Sequence, residues 1–419
     1  MRGCDAGVKI LWVKAGKLLP VDTGGKIRSF NLLRQLAARH DTTLLSYYAG
    51  AIDSAYDEAI GKELPGAVTM AVGGPTSFSA SVVDYIRHAP SAPPYAVTKF
   101  TSARARAQIA AWMRARTFDV MICDFLSASL TFPSELTTPT ALFQHNVESA
   151  LWQRQAAHEP HPLKKLAFQM EAKKMTRYER AAVARFHHVI AVSENDRTLM
   201  STMTDASRIT VAPTGVDLSR YRAAAGHEAT EPVVMFLGSM DWEANIDGVF
   251  YFHRDIWSRI RAAVPRATFR IVGRNPSTRV RKLAEDPSVV VTGDVPSVVD
   301  HLRDAAVFVV PLRIGGGTRL KIYEAMATGR AVVSTTIGAE GLDVNHGQDI
   351  VLADDPAAFA DAVTSLLLDA DKRRAFERAA ADQAAKFDWP VVVRQFENSL
   401  EQTIAAASTP AAAAGTTSA

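Results

Sequence analysis

Short apolar runs rich in β-branched residues alternate with longer helical patterns along this chain, and the alternation starts twice. Each run is strand-sized and nearly continuous in apolar character, as a strand buried on both faces of a parallel sheet must be, and the helical stretches between them suit crossovers. The first series predicts strands at Val8 to Val13, Thr42 to Tyr48, Val68 to Val72, Asp119 to Cys123, Thr140 to Gln144, Val189 to Ser193 and Ile209 to Ala212. The second predicts strands at Val233 to Leu237, Thr268 to Val272, Val289 to Thr292, Val307 to Pro311, Ala331 to Ser334 and Ile350 to Leu352. The expected fold class is α/β, with two doubly wound Rossmann-like domains.

The length of 419 residues suits such a pair. The first domain is expected over residues 1–220, followed by a linker at 221–232, where Tyr221 to Pro232 is rich in Ala, Gly and Glu with weak periodicity. The second domain is expected over 233–388, a terminal helix crossing back to the first over 389–405, and a disordered Ala/Thr/Ser/Gly tail over 406–419.

Hydrophobic residues at 47% and charged residues at 22% argue for a folded body rather than a disordered or fibrous chain. The longest apolar runs, Val233 to Gly238 and Ala305 to Leu312, fall well short of the roughly 18 residues that span a bilayer. Lys9, Lys14 and Lys17 interrupt the stretch where an export signal would need an uncharged core, so a cytoplasmic location is expected. Cys4 and Cys123 are too few for a disulfide framework or a cysteine metal site.

Charge is uneven. Up to Gly215 there are 25 Lys and Arg against 18 Asp and Glu, and beyond it 22 against 26. The cations gather at Arg104, Arg106, Arg114 and Arg116 and at Lys164, Lys165, Lys173, Lys174, Arg177, Arg180 and Arg185, within helical patterns. Two readings stand: a solvated helix face, or attraction to anionic phospholipid headgroups or a phosphate-bearing acceptor. Nucleic acid is not an expected partner, because no binding motif accompanies this mildly basic balance.

The segment Val309 to Thr335 carries the most chemical information. A strand ends at Pro311, Gly315, Gly316 and Gly317 follow, and a helix opens near Thr318 and runs through Met326. Glycines let backbone N–H groups approach an anion, and the start of the next helix adds unpaired donors and partial positive charge. Arg319 and Lys321 stand on that turn as cations for a diphosphate, and Glu324 could accept from ribose hydroxyls. The plainer alternative is a tight connection with Lys321 and Glu324 as a surface pair.

The segment, whose strand, loop and helix end in Glu-Ala-Met-Ala-Thr-Gly at 324–329, resembles the signature of the retaining glycosyltransferases of family 4, which have the GT-B fold of two Rossmann-like domains facing a central cleft. Further matches in family order are Gly24-Gly25, His145-Asn146, Ala191-Val192-Ser193, Pro213 to Asp217, Phe236-Leu237-Gly238, Ile271-Val272-Gly273 and Thr292 to Val295, so that the likeness spans Lys9 to Glu401. Within the family, the Gly-Gly-Gly-Thr-Arg-Leu-Lys loop and the His-Asn-Val-Glu-Ser run are similar to bacterial exopolysaccharide sugar transferases, including those of exosortase-associated gene clusters.

The resemblance implies a retaining hexosyltransferase that takes a UDP- or GDP-sugar donor and a glycan or polyprenyl-linked acceptor, and the basic first domain adds the expectation of peripheral attachment to the inner face of the plasma membrane. By the same resemblance Gly24 and Gly25 approach the donor phosphate and sugar, His145 sits at the sugar, and Gly238 opens a loop facing the cleft. Arg274 lies near the nucleoside, Val295 offers backbone groups to the base, and Leu320 and Glu324 complete the nucleotide pocket.

Two departures stand out. The family's paired glutamates lie eight positions apart, and this chain has Gly316 where the first belongs, leaving only Glu324. The Arg and Lys usual after the first strand of the second domain are also replaced, around Ser239 and Asn245, which makes Arg319 and Lys321 the candidates for the diphosphate charge. Glu148 is expected either to cap the helix that follows it or to face the acceptor, capping being preferred. No metal-binding Asp-x-Asp pair is visible, so no cofactor or metal is expected. Other readings on this scaffold are an enzyme of another class, a sugar-nucleotide 2-epimerase or hydrolase, and a non-catalytic nucleotide-sugar binder. A dinucleotide dehydrogenase ranks last, since Gly24-Gly25 lacks the Gly-x-Gly-x-x-Gly spacing and Tyr47 and Tyr48 stand where an acidic residue should.

Overall fold

The computed structural model describes residues 7–73, 84–85, 87–88, 91–222, 229–314 and 319–408. Its first series of strands is β1 (Lys9–Ala15), β2 (Asp41–Ala49), β3 (Val68–Val72), β4 (Val120–Asp124), β5 (Thr140–Phe143), β6 (His188–Ala191) and β7 (Ile209–Val211). The second is β8 (Val233–Leu237), β9 (Thr268–Val272), β10 (Val289–Gly293), β11 (Val307–Val310), β12 (Ala331–Ser334) and β13 (Val351–Leu352). Each strand expected from the sequence is present, with small shifts at the ends.

The first sheet has the order β3-β2-β1-β4-β5-β6-β7 and the second β10-β9-β8-β11-β12-β13. Every pairing between these strands is parallel. Ile10 to Val13 in β1 are wholly buried, as a central parallel strand covered on both faces requires. Each order reverses once, between β1 and β4 and between β8 and β11. Connections leave such a reversal toward opposite faces, which opens a crevice beyond the carboxyl ends of those strands. The residues to watch are therefore those ending β1, β4, β8 and β11.

The helices that bear on the sites are α1 (Gly24–Ala37), α2 (Glu148–His158), α3 (Pro162–Arg185), α4 (Leu218–Arg222), α5 (Glu243–Tyr251), α6 (Leu320–Ala327) and α7 (Trp389–Ser408). Among the described residues, no helix is long and apolar enough to cross a membrane.

The chain divides into Met1–Pro213 with Val393–Ala419, and Thr214–Val392. The expected boundary after residue 220 thus moves earlier, for a packing reason. Val216 N donates to Phe387 O at 2.8 Å, Trp389 N donates to Val216 O at 3.3 Å, and Val216, Leu218 and Tyr221 belong to the second core. Residues 223–228, inside the expected linker, lie outside the described residues.

The terminal helix expected at 389–405 is α7, which continues to Ser408, and its residues from Val393 onward count with the first unit. There Phe396 stacks on Trp12 with ring centroids 5.5 Å apart, and Glu397 meets Arg39 and His40, each at 3.1 Å. Of the expected tail, 406–408 are helical and 409–419 lie outside the described residues.

Candidate functional site

The first unit gathers a buried charged cluster at its sheet reversal. Lys14 on β1 and Asp124 on β4 are register partners, and Lys14 Nζ donates to Asp124 Oδ2 at 2.8 Å. The same oxygen accepts from Trp12 Nε1 at 3.0 Å and from Ser29 Oγ on α1 at 2.8 Å. His145, just past β5, places Nε2 2.8 Å from Asp124 Oδ1 and Nδ1 2.9 Å from Arg28 Nη1. Since a guanidinium only donates, Nδ1 accepts and the imidazole proton sits on Nε2, directed at Asp124.

Burial drives the His145 pKa down to about 3 despite the adjacent carboxylate, so the ring is neutral. Burial pushes the Asp124 carboxyl up, but Lys14 and His145 outweigh it and hold the group below the usual carboxylate range. Burial also lowers Arg28 to about 10.

His145 was expected at the sugar. The ring is 2% exposed, both nitrogens meet internal partners, and Phe125 stacks on it at 3.6 Å between centroids. Its position makes it a brace for Asp124 and Phe125. Phe125 is held at φ +71°, a region costly for a residue with a side chain. Gly25 is required here, because a Cβ at that position would lie 2.6 Å from Phe125 Cζ, whereas Gly24 has open space around it. Lys14, Lys17, Gly25, Lys26, Tyr48 and Phe125 border a cavity of about 700 Å³ beyond the ends of β1 and β2. Lys17 pairs with Asp53 at 2.5 Å and lies over the Tyr48 ring.

Glu148 does not cap α2. It is the first residue of that helix, and Glu179 on α3 takes the capping role, accepting from Glu148 N at 2.8 Å and Ser149 N at 2.9 Å. Burial, followed by repulsion from Glu179, raises the Glu148 pKa to about 7.

In the second unit, α6 begins at Leu320 with Arg319 in the N-cap position. Gly315, Gly316, Gly317 and Thr318 lie outside the described residues. Lys321 Nζ donates to Asn245 Oδ1 at 2.9 Å, and Asn245 Nδ2 donates to Ser239 O at 2.8 Å. A Cβ at Gly238 would lie 2.8 Å from Lys321 Nζ, so the glycine is what lets the ammonium reach the turn after β8. Lys321 and Asn245 thus join at the place where the resemblance expects its missing cations. Burial, then the nearby Arg319, lowers the Lys321 pKa to about 7.

Arg319 is 4% exposed, lies over the Trp242 ring at 5.2 Å, and is lowered to about 10 by burial. Glu324 Oε1 accepts from Tyr221 Oη on α4 at 2.8 Å, and burial raises its pKa above the usual value. Lys321 and Glu324 are therefore not a surface pair. Arg274 follows β9 and donates through Nε to Ser239 Oγ at 3.0 Å, closing the same turn. Val295 packs against the second core.

Asp124, Lys14, Arg28, Asn245 and Tyr221 are absent from the expected set. The available signal for Asp124 and Lys14 is a charge at the carboxyl end of an otherwise apolar strand, KILWVKA or VMICD. Among the described residues no group of three or more His, Cys, Asp or Glu could hold a metal ion.

Comparison with known proteins also divides the chain in two, with the break between residues 220 and 231, where the sequence places the linker. Residues 23–220 match the family described as Glycosyltransferase Family 4, and residues 231–369 match Glycosyl transferases group 1. The phosphatidyl-myo-inositol mannosyltransferase of Mycobacterium leprae is 28% identical over 192 residues, 44% of this chain and 50% of that one. The chain spans about half or less of the length of the curated relatives it matches.

Among solved structures, Anabaena Alr3699/HepE in complex with UDP and glucose aligns at TM-score 0.62 and 14% identity over 94% of this chain and 99% of that one. The sucrose-phosphate synthase of Thermosynechococcus elongatus aligns at 0.65 and 17% over 95% and 99%. At these identities the structures establish the fold. The chain is accordingly a Glycosyltransferase Family 4 domain followed by a Glycosyl transferases group 1 domain, built on the GT-B fold.

Proposed function

We infer that the protein is a glycosyltransferase that moves a hexose from a UDP- or GDP-sugar to a glycan or polyprenyl-linked acceptor. The reaction proceeds with retention, in exopolysaccharide or other cell-surface glycan synthesis, with the basic first unit against an anionic membrane. The observation that carries the reading is the seat of Lys321 at the Gly238 turn, hydrogen-bonded to Asn245. A lysine lowered to about 7 by burial gains most from an anion that restores its charge. Support comes also from the UDP and glucose in the Anabaena structure and from the lipid named in the Mycobacterium leprae relative.

In this reading the diphosphate meets Lys321, Arg319 and the glycine loop 315–318, with Arg274 holding the neighbouring turn and Glu324 on the ribose. Leu320 lines the nucleotide pocket, and Val295 presents backbone groups to the base. Gly24 and Gly25 give the donor sugar and phosphate close access to the first unit, and His145 acts through Asp124 and Phe125. The bond from the sugar's anomeric carbon to the diphosphate oxygen breaks as the acceptor hydroxyl oxygen bonds to the same face. The acceptor's proton passes to the departing phosphate oxygen. Preorganised cations stabilise the charge that develops there, and no metal enters the scheme.

The test is isothermal titration with UDP, GDP and their hexose conjugates, followed by NMR of the anomeric linkage formed on a polyprenyl-diphosphate glycan. Binding of one nucleotide and a product with the donor's anomeric configuration is expected. Absence of binding by any of them would remove the donor reading, and an inverted product would remove retention.

A further inference from the structure

We propose that the first half of α3 is a docking surface for an anionic lipid bilayer. α2 and α3 form a helical hairpin, with Trp152 against Phe168 at 6.0 Å between centroids and Gln153 Nε2 donating to Thr176 Oγ1. The buried residues of α3 are Glu171, Ala172, Met175, Glu179, Ala182 and Val183, all beyond its first two turns. Those first turns carry Leu163, Leu166 and Met170, exposed by 73%, 56% and 53%. Positions i, i+3 and i+7 fall on one helical stripe, so the three form a single apolar ridge.

The ridge continues as charge. Lys173 and Arg177 stand three and seven residues beyond Met170, on the same stripe, and both are exposed, as is Lys164 beside the ridge. The only carboxylates of α3 face inward. Glu171 is buried, accepts from Tyr95 N at 2.9 Å and pairs with Lys174, while Glu179 is buried at the start of α2. The outer face of this helix therefore pairs bare aliphatic side chains with cations that no carboxylate of α3 opposes.

That combination fits the headgroup zone of an anionic bilayer, where aliphatic side chains enter the acyl boundary and ammonium and guanidinium groups meet phosphates. A second copy of the chain is disfavoured, because it would bring the same positive face against this one. The inference rests on the membrane placement in the proposed function, which it deepens by naming the helix that makes the contact, and it stands apart from the transfer chemistry.

The test is co-sedimentation of the full chain with vesicles of phosphatidylcholine alone and of phosphatidylcholine mixed with phosphatidylglycerol. It compares the wild type with L163S/L166S/M170S and with K173E/R177E, and UDP-induced thermal shifts are measured on each protein. Partition onto the phosphatidylglycerol vesicles is expected, falling at least about tenfold in either variant and declining with added salt. UDP shifts should be the same in all three. Three results would overturn the proposal: no partition onto phosphatidylglycerol vesicles, equal partition onto the neutral ones, or full partition by the triple-serine variant. A wild-type dimer that the triple-serine variant abolishes, without vesicle binding, would assign the ridge to a second copy and likewise overturn it. Loss of the UDP shift in the wild type would count against the transferase reading alone, leaving the vesicle result to decide this one.

Discussion

Lys14 and Asp124 face each other in register across the two strands at which the first sheet reverses, with Nζ 2.8 Å from Oδ2. They are 110 residues apart in sequence, so this contact exists only once the sheet is assembled. Replacing Asp124 with Ala leaves Lys14 and Arg28 buried beside an empty site. A loss of about 3–5 kcal/mol in unfolding free energy is expected from urea titration. A loss below about 1 kcal/mol would mean that the cluster is not the brace described above.

His145 titrates with a definite sign. Its folded pKa of about 3 lies below the unfolded value of 6.5, so between these the unfolded chain binds the proton and the folded one does not. Stability contributed by the neutral ring is present above pH 6.5 and is lost as pH falls toward 3. Asp124, also depressed, adds to the loss only below its ordinary range. Unfolding of the wild type between pH 6.5 and 4.5 should take up roughly one proton at this site, so urea midpoints should change less favourably with falling pH in the wild type than in His145→Gln, where His188, lowered to about 4, and Glu148, raised to about 7, still titrate.

Lys321→Met keeps the length of the side chain and removes its charge. Affinity for the nucleoside diphosphate should drop by about 1.5–3 kcal/mol while affinity for the nucleoside is unchanged. Equal losses for both ligands in calorimetric titration would show that the residue shapes the pocket rather than meeting the phosphates.

The same lysine predicts proton linkage. With a free pKa of about 7, raised when a diphosphate binds, affinity for a nucleoside-diphosphate hexose, whose esterified phosphates do not titrate near neutrality, should be level below pH 7 and fall as pH rises above it. Titration at pH 7 in buffers of different ionisation enthalpy should register an uptake of about half a proton. An uptake of zero would place the diphosphate elsewhere.

Gly25→Ala and Gly24→Ala separate packing from flexibility within one turn. The added methyl at 25 runs into Phe125 and should cost about 1–3 kcal/mol, whereas at 24 it meets nothing and should be neutral or stabilising by up to about 1 kcal/mol. Thermal denaturation of the two variants decides the point.

The strands were legible because a strand covered on both faces must be apolar throughout, and KILWVKA or VVMFL shows this without its neighbours. Arg319 and Lys321 stood out in the sequence as cations at the start of a helix, but their burial did not. Whether Lys321 faces water or Asn245 depends on a partner 76 residues away. Glu148 shows the same limit, since its sequence position suits a cap and the cap arrives from Glu179 on another helix. The boundary at 213 escaped detection because Val216 joins the second unit through Phe387 and Trp389, far along the chain.

The turn after β8 is not shaped by its own residues alone. A Cβ built at Gly273, at the end of β9, would collide with the carbonyl oxygen of Gly238, so the two strand ends interlock like teeth with no room for a washer. One methyl group at 273 would act as a wedge, displacing the backbone that Asn245 and Lys321 grip and misplacing the ammonium without touching it. Substitutions meant to alter this site must therefore leave that joint intact and work instead through the residues that open α6.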